Sequence, residues 1–489
     1  INGGVITSNN EPAQIDVYRK NKTKLNLADF KISNNDIFSM PAGPVGFLAG
    51  AEWRKESYVD DRDPRLDGTI QFTNRSGVTF PFVSDVMNSS PSRDSSGSRR
   101  TTSIFAEFAI PVFETLDVQI AGRYEYASDY GSHTVPRIVF GWRVFEPLLI
   151  RGSWSKAFRA PNLITVNEEL VVRTNTVFNQ TCRYAEDFGG EEAEDALVCS
   201  GGVQRRAEGN KDLKPEKSTN YSFGAVWEPV DNLMLTLDFW SIKKKDTIGL
   251  FGETNATLLD LLIRLEAGTS NCSSVTGNPA IGYGEVDPDD VQYYLDAGIC
   301  PIGQTIYIED GYQNLDTRTV KGHDIGIYYT LDTGWGDWDF AARGTFYDKY
   351  EQKAGGAAGL LLAASEAGIL PPGYYPGGFD DLMRQDGNQA NKYNFRASWR
   401  KNAWGANVSA FYLSSFVQTS LTIDDGSEKG IRWVVPSHTT WNANVDYRFD
   451  LWKSDTRLRF GINNYTNNRA HLADRRFGYL ADAHTDQGR

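Results

Sequence analysis

The chain has 489 residues, of which 40% are hydrophobic and 12% aromatic, and its formal net charge at pH 7 is -13. This acidic balance argues against a nucleic-acid partner, because no basic stripe is available to neutralise phosphates. The sequence contains no run of about 18 apolar residues, which excludes a helical membrane span.

A two-residue alternation of apolar and polar side chains recurs along most of the chain. Within residues 117–126, for example, Val118 and Ile120 alternate with Gln119 and Arg123. A β-strand points successive side chains to opposite faces, so each such segment has one apolar and one polar face. Aromatic residues on one face and charged residues on the other are typical of a barrel whose outside meets lipid and whose lumen meets water. The pattern predicts an all-β fold, a transmembrane antiparallel β-barrel.

Turn signals divide the chain into about fourteen strands, centred near residues 30, 51, 107, 123, 139, 153, 222, 240, 325, 344, 396, 411, 443 and 462. The first is the weakest, because residues 21–38 alternate poorly. Short connections at 113–116, 145–147, 229–232, 333–336, 401–404 and 451–454 alternate strictly with long polar insertions at roughly 59–101, 161–216, 250–317, 352–390 and 419–436. Short periplasmic turns and long extracellular loops are typical of barrels in the bacterial outer membrane.

Two insertions are predicted to contain short helices. Residues 255–265 place four leucines on one helical face, with Asn255 as a candidate N-cap. Residues 287–297 form the second predicted helix, with Pro288 at an early position. We expect both helices to pack within the extracellular loops.

Four cysteines lie in two of the insertions: Cys182 and Cys199 in one, Cys272 and Cys300 in the next. Two cysteines per insertion favour the disulfides Cys182–Cys199 and Cys272–Cys300 over the two cross-loop pairings, and four free thiols are the remaining alternative. No Cys-x-x-Cys spacing suggests a zinc or redox site. Disulfides indicate passage through an oxidising periplasm.

If the apolar face of each strand meets lipid, the polar face lines the lumen. The side chains then predicted to face inward are Arg123, Glu125, Arg151, Asp238, Asp324, Arg343, Asn407, Asn444, Asp446, Arg448, Arg457 and Arg459. We expect most of them to be structural, pairing with one another or with a domain inside the barrel.

Two acidic clusters in the insertions are candidate calcium ligands, because calcium binds carboxylate oxygen. They consist of Asp60, Asp61, Asp63 and Asp67, and of Asp287, Asp289 and Asp290. Neither follows an EF-hand spacing, since Pro64 and Pro288 interrupt them. Solvated loop charge is the favoured interpretation, and we expect no cofactor.

Aromatic and basic loop residues are candidates for ligand contact. The Gly-rich segment 371–378 carries two tyrosines that could stack on a sugar ring or a flat chelate, or equally pack on neighbouring loops as part of a rigid turn. Residues 174–209 add three arginines. The candidate contacts are Tyr374, Tyr375, Arg183, Arg205 and Arg206.

Catalysis is not expected. The five histidines are scattered over distant segments, and no His-x-x-x-His pair occurs. No nucleophile elbow, P-loop or dinucleotide fingerprint appears in a matching strand–helix context. The sequence therefore predicts that the protein is not an enzyme.

Five phrases of the sequence resemble those of the TonB-dependent outer-membrane receptors. Residues 149–162, LIRGSWSKAFRAPN, resemble a strand that enters an extracellular loop through Phe-Arg-Ala-Pro. Residues 210–224, NKDLKPEKSTNYSFG, resemble the family's re-entry into the next strand. Residues 123–131, 234–248 and 461–468 match three further phrases. The five occur in the family's order across most of residues 40–470.

The resemblance implies a barrel of about 22 strands that is plugged by an N-terminal globular domain and driven by the inner-membrane TonB complex. The sequence shows no plug, no TonB box, no early strands and no final strand. We therefore expect residues 1–489 to form part of the barrel, about its C-terminal two-thirds and approximately strands 8 to 21. The expected partners are the lipid bilayer and lipopolysaccharide, the plug, the TonB complex, and a small-molecule or oligosaccharide ligand.

Energised uptake of a scarce nutrient is the favoured function. A passive porin and a barrel-anchored adhesin are alternatives, but the disulfide-bearing insertions and the family phrases favour uptake. The cysteine-bearing loop and the Phe-Arg-Ala-Pro phrase resemble those of a branch of the family associated with carbohydrate uptake. Six acidic residues between Glu186 and Asp195 would offset the nearby arginines, which favours a neutral oligosaccharide, with a ferric siderophore as the alternative ligand.

Overall fold

The computed structural model describes residues 14–471, apart from residues 74, 76, 78, 81, 87–88 and 424–430. Its main feature is an antiparallel sheet in which each long strand hydrogen-bonds to the next one along the chain. We number these strands β1 (Arg19–Met40), β2 (Gly43–Arg62), β3 (Ser95–Phe113), β4 (Leu116–Ala127), β5 (Gly131–Phe145), β6 (Leu148–Arg159), β7 (Glu216–Val230), β8 (Leu233–Lys245), β9 (Arg318–Thr333), β10 (Gly336–Gln352), β11 (Asn391–Lys401), β12 (Trp404–Leu413), β13 (His438–Leu451) and β14 (Ser454–Ile462). All fourteen predicted centres fall within these strands.

The two ends of the sheet differ in the length of their connections. At one end, every hairpin from β1–β2 to β13–β14 turns through two residues. At the other end the connections span residues 63–94, 160–215, 246–317, 353–390 and 414–437. The predicted alternation has one exception, because residues 128–130 join β4 to β5 at the long-loop end.

Charged side chains share one face of the sheet and pair across strands. Arg123 contacts Glu52 at 3.1 Å and Glu125 at 3.2 Å. Arg151 of β6 contacts Asp238 of β8 at 2.5 Å, across the intervening strand β7. The strand between them carries a glycine at this level, where any Cβ would clash with the Asp238 carboxylate. The sequence thus makes room for an ion pair that spans three strands.

The same face continues along the later strands. Asp446 contacts Arg457 at 2.6 Å and Arg400 at 3.8 Å. The register places the other residues predicted to face the lumen on this face too: Asp324, Arg343, Asn407, Asn444, Arg448 and Arg459.

Aromatic rings occupy the opposite face in two rows near the strand ends. Toward the long loops, the row consists of Phe239, His323, Phe346, Tyr393 and Tyr412. Toward the two-residue turns, it consists of Tyr329, Trp338, Phe340, Trp399, Trp404 and Tyr447. On β10 the rows are eight residues apart, about 27 Å along the strand, and a tilt of about 40° reduces this to roughly 20 Å. Two such rows are typical of aromatic girdles at the membrane interfaces.

The long connections contain short strands and helices of their own. The loop strands are Phe72–Thr73, Thr79–Phe80, Val171–Phe178, Ser200–Ala207, Thr247–Gly249, Ile281–Tyr283, Thr305–Glu309, Gln313–Leu315, Asp380–Asp381, Phe416–Ile423 and Ile431–Val435. The helices are α1 (Leu163–Asn167), α2 (Gln180–Phe188), α3 (Ala193–Ala196), α4 (Glu253–Ala267), α5 (Val291–Asp296) and α6 (Gly356–Glu366), with a 3₁₀ turn at Cys272–Ser274.

Both predicted helices are present as α4 and α5, but their starts differ from the prediction. The N-cap of α4 is Gly252 rather than Asn255, whose side-chain amide instead donates to the carbonyl oxygens of Phe251 and Gly377. Helix α5 begins after Asp290, beyond the predicted early proline. Within the part of the chain that the structure describes, no helix is long and apolar enough to cross a membrane.

Candidate ligand-binding site

Three of the long connections, residues 160–215, 246–317 and 353–390, pack around a shared apolar core, and we call them the crown. Its buried residues come from all three connections: Cys182, Ala185, Leu197, Cys199, Leu258, Leu261, Leu262, Tyr294, Ile299, Leu361, Leu370 and Tyr374. Burying one Leu or Ile side chain contributes roughly 1.5–3 kcal/mol. The crown is therefore a packed unit rather than three separate loops.

A buried carboxylate connects the parts of the crown. Asp260 of α4 is fully buried and accepts hydrogen bonds from Thr181 Oγ1 at 2.9 Å, Tyr283 Oη at 2.9 Å and the Asn278 backbone N–H at 2.7 Å. Arg264 Nε donates to the same carboxylate at 2.8 Å. Burial and the nearby Asp260 raise the pKa of Tyr283 well above its usual value, so its hydroxyl stays a donor.

Both predicted disulfides are present in the crown. Cys182 on α2 pairs with Cys199, and Cys272 pairs with Cys300. Each bond links two points of the same connection, 17 and 28 residues apart in sequence. In the chain-entropy model, loops of this size gain about 3 kcal/mol from a disulfide.

Reducing both disulfides is expected to loosen the crown and to leave the barrel folded, because barrel stability resides in the strand ladder. Trypsin should cut within residues 160–317 faster after reduction. The unheated protein should keep its compact mobility in a denaturing gel. A variant carrying Cys272→Ser and Cys300→Ser serves as the reagent-free comparison. Loss of the compact mobility on reduction would show that the disulfides hold the barrel itself.

The two most characteristic family phrases meet at the base of the crown. Arg159 of Phe-Arg-Ala-Pro donates through Nε and Nη2 to both carboxylate oxygens of Glu216, at 2.7 and 2.8 Å, and Glu216 belongs to Leu-Lys-Pro-Glu. Lys244 Nζ lies 3.1 Å from Glu216, and the Ile248 backbone N–H donates to it at 2.9 Å. Bidentate arginine–carboxylate pairs combine strength with fixed geometry. This cluster joins the ends of two connections, and it gives the phrases a physical role.

A cavity of about 760 Å³ lies where β1, β2, β3 and β6 meet the start of the crown, and we call it the mouth cavity. Three of its lining residues are basic and one is acidic. The lining includes Lys24, Glu56, Tyr58, Arg99, Arg159, Pro161, Ile164 and Tyr312. Its mixture of positive charge and aromatic rings suits a ligand that is anionic and partly flat.

Arg99 and Arg159 have different roles in the mouth cavity. Arg99 is buried, contacts Asp129 at 2.7 Å and Glu56 at 3.2 Å, and donates to the Pro161 carbonyl at 2.8 Å. It therefore holds the wall in place. Arg159 has 67% of its side chain exposed although it pairs with Glu216. Its guanidinium is accessible to a ligand.

Tyr58 adds a polar group to the same wall. Its side chain is buried, and its hydroxyl has no hydrogen-bond partner among the residues that the structure describes. An unpaired buried hydroxyl costs about 1–3 kcal/mol.

The structure brings together two of the predicted ligand contacts, but as part of the crown core. The Arg183 guanidinium lies 4.6 Å from the centre of the Tyr374 ring, and Tyr374 Oη donates to Asp187 at 2.6 Å. Burial and Asp187 raise the pKa of Tyr374. Only 2% of Tyr374 is exposed, so it packs as the rigid-turn alternative predicts and cannot stack on a ligand. Tyr375 is 52% exposed and remains a candidate.

The other two predicted arginines are also engaged within the crown. Arg205 contacts Asp310 at 3.2 Å, and the Arg206 guanidinium lies 3.8 Å from the centre of the Tyr307 ring. The five predicted residues therefore do not form one site. Sequence reasoning missed the mouth cavity because its lining comes from strands that are far apart in sequence.

The acidic stretch that favoured a neutral ligand surrounds a different cavity. Glu186, Asp187, Glu191 and Glu194 line a second space of about 760 Å³ near α2, which shares no lining residue with the mouth cavity. Burial and the neighbouring Asp187 raise the pKa of Glu186. These carboxylates therefore do not line the mouth cavity.

Two of the calcium candidates, Asp60 and Asp63, pair with arginines. Arg19 donates to Asp60 at 2.7 and 2.8 Å, and the Arg65 guanidinium beside Asp63 lowers the pKa of that carboxyl to about 2. No three His, Cys, Asp or Glu residues within the described ranges are arranged to hold a metal ion. Loop calcium at residues 60–67 or 287–290, which the sequence analysis did not favour, stays a prediction.

Comparison with known families identifies this architecture. Residues 3–465 match the family model described as TonB dependent receptor-like, beta-barrel. The chain belongs to the TonB-dependent receptor family. Its fold is that of an outer-membrane barrel, and the predicted fold class, family and outer-membrane localisation are confirmed. Members of the family are transporters.

One curated relative and several solved structures are similar to this TonB-dependent receptor chain. The probable TonB-dependent siderophore receptor PirA of Acinetobacter baumannii is 22% identical over 260 residues, covering 46% of this chain and 31% of PirA. The crystal structure of A. baumannii PirA matches with 17% identity and a TM-score of 0.53, covering 91% of this chain and 51% of PirA.

The ferric enterobactin receptor PfeA of Pseudomonas aeruginosa, in a mutant crystal structure, matches with 14% identity and a TM-score of 0.56, covering 93% of this chain and 50% of PfeA. The outer-membrane transporter YddB of Escherichia coli matches with 10% identity and a TM-score of 0.54, covering 93% of this chain and 52% of YddB. The chain spans about half the length of these solved relatives. At such identities the likeness concerns the fold.

Proposed function

We propose that this chain forms part of the barrel wall and the crown of a receptor that takes up a ferric siderophore. The siderophore binds at the mouth cavity. Uptake is driven by the TonB complex acting through a plug domain, as the family membership suggests. The single observation that carries the proposal is the mouth cavity itself, with an accessible Arg159 and an excess of basic over acidic lining residues.

The lining chemistry matches this ligand class. A ferric siderophore of the catecholate type is an anionic chelate with oxygen atoms and flat aromatic groups at its surface. Guanidinium groups bind such oxygens through charge-assisted hydrogen bonds, and Tyr58 and Tyr312 add aromatic rings to the lining. The oligosaccharide that the sequence favoured rested in part on the acidic stretch 186–195, and four of its six carboxylates line the other cavity.

The names of the relatives support the same choice. The curated relative is described as a probable siderophore receptor, and one of the solved structures as a ferric enterobactin receptor. Carbohydrate uptake, which the sequence favoured, has no such support. We therefore place the siderophore first.

Binding to the purified full-length receptor tests the proposal. Ferric catecholate and ferric hydroxamate chelates are titrated against the receptor, with maltooligosaccharides as the competing class. We expect a ferric chelate to bind and the sugars not to bind. Saturable sugar binding without chelate binding would overturn the proposal.

An Arg159→Gln variant is expected to weaken chelate binding about 10- to 100-fold, because it removes a charged hydrogen bond of roughly 1.5–3 kcal/mol. The matched control is Lys244→Gln, which removes another cation from Glu216 but does not line the mouth cavity. The control should keep the affinity of the parent receptor. Equal losses in both variants would mean that Arg159 acts only through Glu216.

A further inference from the structure

The short helix α1 forms one edge of the mouth cavity. Ile164 lines the cavity and is 45% exposed, whereas Val166, two residues further along, is buried. Side chains two residues apart on a helix point to opposite sides. The helix thus presents an apolar side chain to the cavity and packs its other side. Because a helix of five residues is not stable by itself, its position depends on the contacts around it.

Two glycines make room for α1 between β3 and the end of the connection 160–215. A Cβ at Gly97 of β3 would lie 2.6 Å from the side-chain nitrogen of Asn167, the last residue of the helix. A Cβ at Gly209 would lie 2.6 Å from the backbone nitrogen of Glu168, and the Gly209 N–H donates to the Glu168 carbonyl at 2.8 Å. The C-terminal end of α1 is therefore closely held on two sides.

Arg99 fastens the other end of the helix. Its Nη2 donates at 2.8 Å to the carbonyl of Pro161, which directly precedes the N-cap Asn162. Its Nε donates to both oxygens of Asp129, at 2.8 and 2.9 Å, and its Nη1 donates to Glu56 at 3.2 Å. All three guanidinium nitrogens thus bind protein oxygens, and only 5% of the side chain is exposed. Although Arg99 borders the mouth cavity, its donors are directed at the protein.

The carboxylate that orients Arg99 lies outside the mouth cavity. Asp129 belongs to the connection 128–130, the exceptional short one at the long-loop end of the sheet. The next residue, Tyr130, has its ring centre 4.8 Å from the Arg99 guanidinium and donates its hydroxyl to Glu125 at 2.8 Å. Neither Asp129 nor Tyr130 lines the mouth cavity. Since arginine–carboxylate pairs of this kind fix geometry, this connection sets the direction of the Arg99 side chain.

From these contacts we infer that Asp129 and Arg99 position α1 so that Ile164 contacts an aromatic ring of the bound chelate. The inference rests on the proposed function and adds to it one ligand contact and two positioning residues. Burial of a ring against an apolar side chain is favourable in proportion to the area covered. A helix that is already fixed binds without the entropy loss of being ordered, so releasing it would weaken binding.

Two measurements on the full-length receptor test the inference: amide hydrogen exchange without ligand, and titration with a ferric tris-catecholate. The variants are Asp129→Asn, Ile164→Ala, their combination, and the conservative Ile164→Leu. The matched control is Asp63→Asn, which removes a carboxylate that pairs with Arg65 in the same wall but does not line the mouth cavity. Compact gel mobility of unheated protein checks that each barrel is folded.

We expect Asp129→Asn to speed amide exchange in residues 163–168 and to weaken chelate binding about tenfold. Ile164→Ala should also weaken binding about tenfold, and Ile164→Leu should bind like the parent because it keeps the apolar contact. If Asp129 acts through Ile164, the combined variant should bind no more weakly than the weaker of the two single variants. The control should match the parent receptor in both measurements.

The sign of the Asp129→Asn effect separates positioning from direct contact. If Arg99 bound the chelate itself, removing the carboxylate that occupies it would leave binding unchanged or make it tighter. Unchanged or tighter binding, additive losses in the combined variant, or an equal loss in the control would overturn the inference while the proposed function stands. Absence of chelate binding by the parent receptor would overturn the proposed function and the inference together.

Discussion

Replacing Asp260 with alanine is expected to unfold the crown while the barrel persists. The substitution removes the acceptor of four hydrogen bonds and leaves the Arg264 guanidinium, of which 5% is exposed, without its carboxylate partner. Breaking a buried ion pair by removing one partner costs about 3–5 kcal/mol. That is a large fraction of the roughly 5–15 kcal/mol by which a typical domain is stable.

Amide hydrogen exchange of the full-length receptor measures the effect. Helices α2 and α4 should exchange much faster in Asp260→Ala, whereas β7 to β10 should keep their protection. The matched control replaces both charges, Asp260→Leu with Arg264→Leu, and should recover part of the lost protection because no unpaired charge remains. Protection of α4 equal to that of the parent in Asp260→Ala would contradict the role assigned to this carboxylate.

Replacing Glu216 with alanine is expected to loosen the base of the crown, where its carboxylate links two connections, and to weaken ligand binding. Glu216 is 1% exposed and holds Arg159, Lys244 and the Ile248 backbone N–H together. Without it, Arg159 loses the partner that orients its guanidinium toward the mouth cavity. Because Arg159 is itself largely exposed, we expect a modest loss of about 2 kcal/mol in ligand binding, roughly 30-fold in affinity.

The comparison for this variant is Glu107→Ala, which removes another inward-facing carboxylate that pairs only locally with Gln119. Chelate titration and trypsin cleavage near residues 160 and 246 are measured in both variants. Glu216→Ala should lose affinity and gain cleavage at both positions, and Glu107→Ala should do neither. If Glu216→Ala binds the chelate and resists trypsin like the parent receptor, the Arg159–Glu216 pair neither holds the base of the crown nor orients Arg159.

The strands could be predicted because each carries its own signal. Alternation of side chains and two-residue turns are local properties, and the long insertions between them are obvious from composition. Strand β1 lies at its predicted place although its own side chains alternate poorly. It is held there by backbone pairing with β2, where Phe30 lies opposite Ala51. The disulfides followed from topology in the same way.

The crown could not be predicted, because it depends on contacts between loops that are far apart in sequence. Helix α6, Gly356–Glu366, gives no clear signal, since its glycines and alanines resemble a flexible insertion until Leu361 is seen packed into the core. Asn255 resembles an N-cap by position, but its side chain bonds across to Gly377.

The ligand site eluded sequence reasoning for a related reason. The candidate contacts were basic and aromatic loop residues selected by residue type. In the structure, however, Tyr374 hydrogen-bonds to Asp187 and Arg205 pairs with Asp310 within the crown. Arg159 was recognised only as part of a family phrase. Its exposure at the mouth cavity becomes visible once β6 and β2 are placed in one wall.

The central claim is that a ferric chelate binds at the mouth cavity, and a single labelled cysteine tests it most directly. The four cysteines of residues 1–489 are all in disulfides, so an introduced cysteine is the one free thiol within these residues. A fluorophore on Ile164→Cys, which lines the mouth cavity, should be quenched saturably by a ferric siderophore. The same fluorophore on Trp335→Cys, in the exposed β9–β10 turn at the opposite end, should not respond. Absence of quenching at residue 164 while the chelate still binds the receptor would contradict the account.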